Sequence, residues 1–495
     1  MRELLGAAWG AAFGALGPLA TLNHYLVHWP RLRVAGGLVL GGVLLAVAAW
    51  LLVRRFWRGG PHRLARALER RSGTPGLVFA GTLLALIASG GGHLYTPDEW
   101  TMYAAAAGLV NHGIPAAFSE EPYPLHHVSG PVRIDPATGQ PAWVYSKYGV
   151  VQSLLAAPLY AVARLTGPGP ELPPQAYPYG NRALPLVPLL LNPLLTAGSA
   201  ALLGAVALQL GYRRGAALVA AGAFVFGSLA WPYSKTLLNA PPAAFALVLA
   251  VWALVRAEVT VRGALAPAVR GSERRWLAPA GAALGLAIST RYELALIAAP
   301  ILAWGLLAHV RPFALRRSAA AFLVGLLPVL VVLVLGMNWI KTGSPFDAGY
   351  GGEGGLSTLA AKPWYGWFGQ LFSPGCGLAT HTPLMAVGLV GLIWLWEDAP
   401  RPALAVGGVA LLALAYYGSL STWCGYTAWG PRYLVTIGPF LALPLAAVWQ
   451  RVSGGRNPFL WLVGGALFIW SAATNALAVV IDWNRGWQDT WANDR

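Results

Sequence analysis

Apolar stretches of membrane-spanning length recur along the whole chain, and no other feature restricts its possible folds as strongly. A helix needs about 20 mostly apolar residues to cross a hydrocarbon core that is ~30 Å thick. The stretch GLVFAGTLLALIAS at 76–89 is one example. The candidate spans are 4–22, 34–53, 75–92, 183–210, 215–231, 239–256, 277–290, 292–310, 318–340, 383–397, 402–420, 432–450 and 458–481. The sequence therefore predicts an all-α polytopic membrane protein with about 13 transmembrane helices.

The charge content supports this class. Hydrophobic residues make up 57% of the chain and charged residues only 11%, whereas about a quarter of residues are charged in an average soluble protein. The net charge of +16 is an excess of basic residues, which is also a feature of proteins that bind nucleic acid. Here, however, the arginines collect in short loops between candidate spans, where such residues set the orientation of a membrane protein. We therefore expect membrane lipids, and no nucleic acid, as partners.

The arginine-rich loops also predict which segments lie on each side of the membrane. The segment RRFWRGGPHRLARALERR (54–71) should be cytoplasmic, as should 213–214, 256–275, 311–317 and 450–456. The alternate segments 93–182, 341–382 and 421–431 then face outward. The apolar stretch 148–165 would reverse this order if it were a span. We therefore interpret it as an interfacial or re-entrant helix within the first outer loop.

Two neighbouring acids, Asp98 and Glu99, stand at the start of the first outer loop in HLYTPDEWTMY (93–103). One interpretation is that they cap the helix that begins there, because Asp is a favoured N-cap and acids in a first turn suit the helix dipole. The other is that one of them acts as a general base or cation ligand beside a membrane cavity. Both stay open. A divalent metal cation bound by Asp98 or Glu99 is a further alternative, although no motif in the sequence signals it and no cofactor is certain.

Cations predicted to lie on the outer side are candidates for binding an anionic group. Lys147, in VYSKYG, either extends to the lipid headgroups or holds a phosphate, with Tyr145 and Tyr148 as hydrogen-bonding and stacking partners. Arg291, Arg432 and Lys341 are further exceptions to the positive-inside trend. The other candidates for lining a substrate cavity are Tyr103, Tyr292, Glu293 and Trp429.

The outer segments also contain both cysteines and several histidines. Cys376 and Cys424 could form a disulfide on that side or remain two free thiols, and the sequence does not decide between them. The histidines lack the HExxH-type spacing of a specific metal motif. Nothing in the chain matches a Walker or a Rossmann fingerprint, which argues against a nucleotide-driven pump.

Taken together, these motifs resemble those of the GT-C class of membrane glycosyltransferases. The resemblance rests on PDEWTMYAAAAGLVNHG, YSKYGVVQSLLAAPLY, WPYSKTLLNAPPAAFAL, GLAISTRYELALIAAP, QLFSPGCGLATHTPL and AWGPRYL. The nearest likenesses are the protein-mannosyltransferase group and the bacterial aminoarabinose and arabinofuranosyl transferases. The resemblance covers roughly residues 75–440 and implies a GT-C-like helical bundle.

The resemblance further implies a division of one integral membrane domain, 1–495. Residues 1–74 would hold two extra spans and the arginine-rich loop, 75–340 the catalytic core, and 341–495 the second outer loop and the last spans. The donor would be a sugar on a polyprenyl-phosphate carrier, and the acceptor an envelope glycan, lipid or protein. The resemblance also implies a multi-pass protein of the inner (plasma) membrane with an extracytoplasmic active site.

Residue roles follow from matching positions. The resemblance makes Asp98 the catalytic base with Glu99 beside it, Lys147 the ligand of the carrier phosphate, and Arg291 and Arg432 cations on the phosphate side. Single displacement would invert the anomeric configuration.

Two other function classes remain as alternatives. A lipid-linked sugar or polysaccharide transporter would usually carry ionisable groups within its spans, near the midplane. An assembly subunit without activity would need no phosphate site. The sequence places its most informative residues in the outer loops, which favours the transferase.

Overall fold

The computed structural model describes residues 60–90, 94, 96–118, 130–165, 187–262, 274–307, 315–351, 358–359, 362–425, 428–455 and 458–481. The predicted spans 4–22 and 34–53 lie outside the described residues. Within them the chain is predominantly helical, with one small sheet in the first outer segment. The prediction of an all-α membrane protein is confirmed in this respect.

The elements are named in chain order. They are α1 (Gly60–Ala88), α2 (Pro97–His112), β1 (Ala116–Phe118), β2 (Val132–Ile134), β3 (Pro141–Tyr145), α3 (Val151–Leu165), α4 (Leu191–Gln209), α5 (Arg214–Phe226), α6 (Ala230–Ser234), α7 (Ala240–Arg262), α8 (Arg274–Thr290), α9 (Leu294–Ile297), α10 (Ala299–Leu307), α11 (Leu315–Leu330), α12 (Met337–Thr342), α13 (Pro363–Phe372), α14 (Leu378–His381), α15 (Pro383–Asp398), α16 (Pro400–Gly418), α17 (Gly438–Ala442), α18 (Pro444–Gly454) and α19 (Pro458–Val480). A π-helical turn, Val331–Gly336, joins α11 to α12, and 3₁₀ turns at Val187–Leu190 and Arg432–Ile437 precede α4 and α17.

Five helices of the described part are long and apolar enough to cross a membrane. They are Val187–Gln209, Ala240–Thr260, Arg317–Thr342, Pro400–Gly418 and Pro458–Val480. The pair Arg432–Ala442 and Pro444–Gly454 would make a sixth span with a 43° bend. The predicted number of about 13 is therefore not confirmed. Several of the other predicted spans, including 215–231, 277–290 and 383–397, are shorter helices, and 292–310 is divided between α9 and α10.

Small residues allow the central helices to approach closely. A Cβ at Gly281 of α8 would lie 2.0 Å from the carbonyl oxygen of Phe322 in α11, and one at Gly325 would lie 1.9 Å from that of Ala278. Close contact of this kind is typical of helix pairs in membranes, where burial against lipid supplies little driving force and packing must supply it instead.

The helices divide the described residues between two ends of the bundle. At one end, which we call the arginine end, the Tyr212 hydroxyl donates to Asp398 Oδ2 at 2.8 Å and Arg213 N donates to Gln450 Oε1 at 2.8 Å. Arg451 pairs with Asp398 at 2.9 Å. The segments around 213 and 450, predicted to share the cytoplasmic side, therefore lie together.

At the other end, which we call the site end, the segments that are predicted to face outward fold onto the helix termini. The strands form an antiparallel sheet in the order β1-β3-β2. A Cβ at Gly149, just after β3, would lie 2.0 Å from Ser289 O at the end of α8, so only glycine permits this approach. Cys376 and Cys424 form a disulfide that joins the segments after α13 and after α16.

Candidate functional site

The N-terminus of α2 directs its two acids to different surroundings. Thr96 is the N-cap, and its hydroxyl accepts from Glu99 N at 3.3 Å and donates to Glu99 Oε1 at 3.2 Å. Glu99 occupies the third helical position, as the acid of a capping box does, and its carboxylate turns back toward the cap to accept from the Thr96 hydroxyl. Asp98, one position earlier, is left pointing away from the cap. The predicted capping role thus falls to Thr96 and Glu99.

Glu99 is fully buried and holds an irregular segment of backbone. Its Oε2 accepts from Leu237 N at 2.9 Å, between α6 and α7. Asn192 donates to the carbonyls of Thr236 and Leu238 on either side, and Gln152 donates to that of Leu237. Irregular backbone at membrane depth is tolerated only where its polar groups are satisfied inside the protein. Glu99 supplies one of these partners, because it accepts from the N–H of Leu237. The structure therefore indicates a structural role for Glu99.

Asp98 instead lies at the surface of the site end, with 24% of its side chain exposed. Arg432 Nη2 donates to its Oδ2 in a close ion pair. The Tyr148 hydroxyl donates to its Oδ1 at 2.6 Å. Arg432 and Tyr148, which lie far from Asp98 in the sequence, therefore both donate to its carboxylate. Asp98 is the candidate for catalysis, and Arg432 is a candidate for phosphate binding.

The surroundings keep Asp98 ionised. Burial by itself raises the pKa of Asp98, but the Arg432 guanidinium, the Tyr148 hydroxyl and Lys147 together outweigh it and hold this pKa below its ordinary value. Burial and the charge of Asp98 raise the pKa of Tyr148 well above its ordinary value. Tyr148 therefore stays protonated and continues to donate to the carboxylate.

Lys147 lies beside this pair and next to a cleft. Its ammonium group is 5.5 Å from the ring centre of Tyr148 and 5.9 Å from that of Tyr350. The cleft has a volume of about 590 Å³ and is lined by Gly130, Pro131, Val132, Arg133, Lys147, Lys341, Thr342, Asp347, Gly349, Tyr350 and Gly351. Lys341 is buried, and its Nζ donates to Tyr148 O at 2.7 Å. Three basic residues against one acid give the lining of this cleft a net positive charge.

A second ion pair lies near the first. Arg291 pairs with Glu293 at 2.8 Å, and the Tyr417 hydroxyl donates to the same carboxylate at 3.1 Å. Arg291 also donates to Thr436 Oγ1 at 3.5 Å, within the 3₁₀ turn that begins at Arg432. The two candidate phosphate-side arginines are thus neighbours, although each already has a carboxylate partner.

An aromatic bridge links the two ion pairs. The ring of Tyr350 contacts Tyr148 edge-on at 6.3 Å and Tyr292 at 6.4 Å. The Tyr292 hydroxyl donates to Asn338 Oδ1 at 3.3 Å. Two of the four predicted tyrosines, Tyr148 and Tyr292, therefore contact Tyr350, which the sequence analysis did not select.

The remaining tyrosine and tryptophan candidates do not line the cleft. Tyr103 is buried between the rings of Trp100 and Tyr160, and Tyr145 is buried in β3. Trp429 is buried with its ring edge-on to His381 at 5.8 Å, and its carbonyl accepts from Tyr233. These three side chains pack in the protein interior.

The described residues do not fit a divalent cation. Among them, no group of three or more His, Cys, Asp or Glu side chains converges. The oxygens of Asp98 already accept from Arg432 and Tyr148, and those of Glu99 from Leu237 and Thr96. Magnesium and calcium need six or more oxygen ligands, several of them usually carboxylates or water.

Three residues of the site were missed as cavity candidates. Tyr350 lies in the glycine-rich stretch GYGGEGG (349–355), which shows no pattern that selects one residue. Tyr417 lies near the end of the apolar helix α16. Lys341 was noted only as an outward cation. The scarcity of lysine, with Lys at 147, 235, 341 and 362 alone, was the one signal that could have paired Lys341 with Lys147.

Comparison with known proteins gives one family match. Residues 146–342 match the model of the dolichyl-phosphate-mannose-protein mannosyltransferase family. These residues include Lys147, Tyr148, Arg291 and Lys341 of the site. No curated protein sequence matches the chain.

Solved structures show more distant likenesses. The oligosaccharyltransferase of Archaeoglobus fulgidus in complex with Zn and sulfate is 14% identical with a TM-score of 0.49, over 80% of this chain and 53% of that one. ArnT from Cupriavidus metallidurans in the apo state is 16% identical with a TM-score of 0.48, over 78% and 61%. The chain spans less than two thirds of the length of either protein. The predicted resemblance to the protein-mannosyltransferase group of the GT-C glycosyltransferases is confirmed, by the family match, over residues 146–342.

Proposed function

We propose that this chain is a membrane glycosyltransferase that moves a sugar from a polyprenyl-phosphate carrier to an acceptor hydroxyl, with Asp98 as the general base. The observation that carries the proposal is the position of Asp98, an ionised and partly exposed carboxylate beside a cleft lined by Lys147 and Lys341. The family match over 146–342 supports the donor class, because that family is described by a polyprenyl-type phosphate-mannose donor.

The cleft suits the phosphate of such a donor. Lys147, Lys341 and Arg133 supply positive charge on its walls. A carrier lipid has its phosphate at headgroup depth, so its binding site should adjoin the ends of the membrane helices. Lys341 stands in the last turn of α12, at the end of a candidate span, which meets this requirement.

The reaction would be a single displacement. The acceptor oxygen attacks the anomeric carbon while its proton passes to Asp98, and the bond between that carbon and the phosphate oxygen breaks. The phosphate leaves with the bonding electrons, and Lys147 stabilises the added negative charge. Because attack and departure occur on opposite faces, the anomeric configuration inverts. A carboxylate offers about four lone-pair sites, so Asp98 can hold Arg432 and Tyr148 and still accept from the acceptor.

Membranes from cells that express Asp98→Asn test the role of Asp98. With a polyprenyl-phosphate sugar as donor, we expect transfer to fall about 100-fold or more, the usual contribution of a positioned general base. Asp135→Asn is the matched control, since Asp135 lies in the turn before β3 and bonds only its own turn in the described structure. Equal transfer by Asp98→Asn and wild type would exclude Asp98 as the base.

Lys147→Ala tests the phosphate assignment. With the fold retained, we expect a raised KM for the donor, and a lowered kcat because Lys147 also stabilises the charge on the departing phosphate. An unchanged donor affinity would contradict the assignment. If proteoliposomes moved a labelled carrier lipid across the bilayer without any sugar transfer, the transporter alternative would replace the transferase.

We further propose that the site end is extracytoplasmic and that the membrane is the inner (plasma) membrane, on the basis of the arginine-rich loops.

A further inference from the structure

The short helix α13 presents an aromatic face that no other described residue covers. Five of its ten residues are large aromatics with 44% to 66% of their surface exposed. They are Trp364, Tyr365, Trp367, Phe368 and Phe372. Contiguous exposed apolar surface of this kind marks a binding or membrane-contacting surface rather than a water-facing one.

The opposite face of α13 is fixed to the protein, so the aromatic face is held in a defined position. A Cβ at Gly366 would lie 2.0 Å from Gly418 O, and one at Gly369 would lie 2.4 Å from the Trp423 ring. Gln370 is fully buried and donates to Trp423 O at 3.4 Å. The Cys376–Cys424 disulfide follows directly on both segments. Helix α13 therefore cannot turn its aromatics inward without losing these contacts.

A hydrogen bond to α16 sets the depth of α13. The Trp367 Nε1–H donates to Ala415 O at 3.1 Å, three residues before the end of this candidate span at Gly418. At 1.5 Å per residue, the Trp367 indole lies about 5 Å below the end of α16. Leu404 and Leu411 on the same span are exposed, so the surface next to α13 is the one that α16 turns toward lipid.

We propose that α13 is an interfacial helix whose aromatic face enters the headgroup and upper acyl region of the bilayer at the site end. Trp and Tyr are enriched at this depth because their rings are apolar while their N–H and O–H groups reach water. Lys362, just before the helix, lies 5.9 Å from the Tyr365 ring centre, a place from which its ammonium group can meet lipid phosphates. The partner is the lipid surface itself, and the proposal is independent of the proposed reaction.

Spin labels on introduced cysteines test this placement in the full chain in nanodiscs. Because both native cysteines form the disulfide, each introduced cysteine is the only free thiol. Nitroxides at Phe368→Cys and Trp364→Cys should be relaxed more by oxygen, which concentrates in hydrocarbon, than by a water-soluble nickel chelate. Ala137→Cys, in an exposed turn, and Leu411→Cys, within the span, give the aqueous and deep limits.

The expected result is an oxygen-to-nickel accessibility ratio between those of Ala137→Cys and Leu411→Cys at both α13 positions. A ratio equal to that of Ala137→Cys would place α13 in water and overturn the proposal. Low accessibility to both reagents would show that protein covers the face, and would overturn it as well. Using two positions ensures that a failure of one variant to fold leaves the other to decide.

Discussion

Asp98 and Glu99 are adjacent acids, but their carboxylates accept from different kinds of donor. Asp98 accepts from the side chains of Arg432 and Tyr148, and Glu99 from the backbone of Leu237. The helix geometry of α2 causes this difference, because successive residues are rotated by about 100° around the axis. A carboxylate paired with a cation at a partly exposed position can exchange partners with a substrate. One that satisfies a buried backbone N–H cannot do so without leaving that group unpaired.

Substitution of Arg432 should change the pH dependence of transfer. Arg432 lowers the pKa of Asp98, so the base stays ionised at lower pH than an ordinary aspartate would. In Arg432→Gln this influence is lost, the pKa of Asp98 rises, and the acidic limb of the kcat/KM profile should move to higher pH. The profile of kcat/KM reports the free enzyme, in which this ion pair exists.

Arg432→Lys is the control, because it keeps a positive charge near Asp98. We expect its acidic limb to lie closer to that of wild type than to that of Arg432→Gln. An acidic limb that does not move in Arg432→Gln would mean that a group other than Asp98 limits the rate at low pH.

Sequence reasoning selected Asp98, Lys147 and Tyr148 because each is unusual in its local surroundings, and the structure brings these three together. It did not find the contacts of Tyr350 and Lys341, since about two hundred residues separate Tyr148 from each of them. Nor did the local residues by themselves separate Glu99 from Asp98 in function, a choice that only the resemblance made. That distinction depends on the N–H of Leu237, and the sequence gives no sign that this group needs an acceptor.

At the scale of elements, hydropathy predicted where helices lie, but it did not predict where a long apolar stretch is divided into shorter helices. The predicted spans 239–256 and 458–481 correspond to α7 and α19. The predicted span 432–450 is instead a 3₁₀ turn followed by α17 and α18. Its residues are mostly apolar, so average hydropathy conceals the break, although Gly438–Pro439 and Leu443–Pro444 mark the points where new helices begin. Pro lacks the N–H that would continue a helix through these points.

The contact between α13 and α16 gives a prediction at this scale. In Gly366→Ala the new methyl group would collide with Gly418 O, so the helices must separate. Overpacking of this kind usually costs about 1–3 kcal/mol. We expect a lower apparent Tm of the purified protein in nanodiscs. Gly375→Ala is the control, because no heavy atom lies within 4 Å of its added Cβ and the Tm should not change. Equal Tm values would show that α13 is not packed against α16 in this way.

On the scale of the whole molecule, polar chemistry is divided between the two ends of the bundle. The arginine end contains the Arg451 pairs with Glu397 and Asp398, and the site end contains the disulfide and the pair of Asp98 with Arg432. The positive-inside rule favours the cytoplasm for the arginine end. A persistent disulfide requires an oxidising compartment, which favours the outer side for the site end. Two independent physical arguments therefore support the proposed orientation.

Labelling of introduced cysteines in intact cells tests this orientation. Ala137→Cys lies in an exposed turn at the site end, and Gly454→Cys is exposed at the arginine end, with no heavy atom within 4 Å of its added Cβ. A membrane-impermeant maleimide should label Ala137→Cys in cells whose outer barrier is open to the reagent. It should label Gly454→Cys only after the membrane itself is broken. The native disulfide gives no background thiol unless it is reduced. The reverse pattern would place Asp98 and its cleft on the cytoplasmic side, and an extracytoplasmic transfer reaction would then be impossible for this chain.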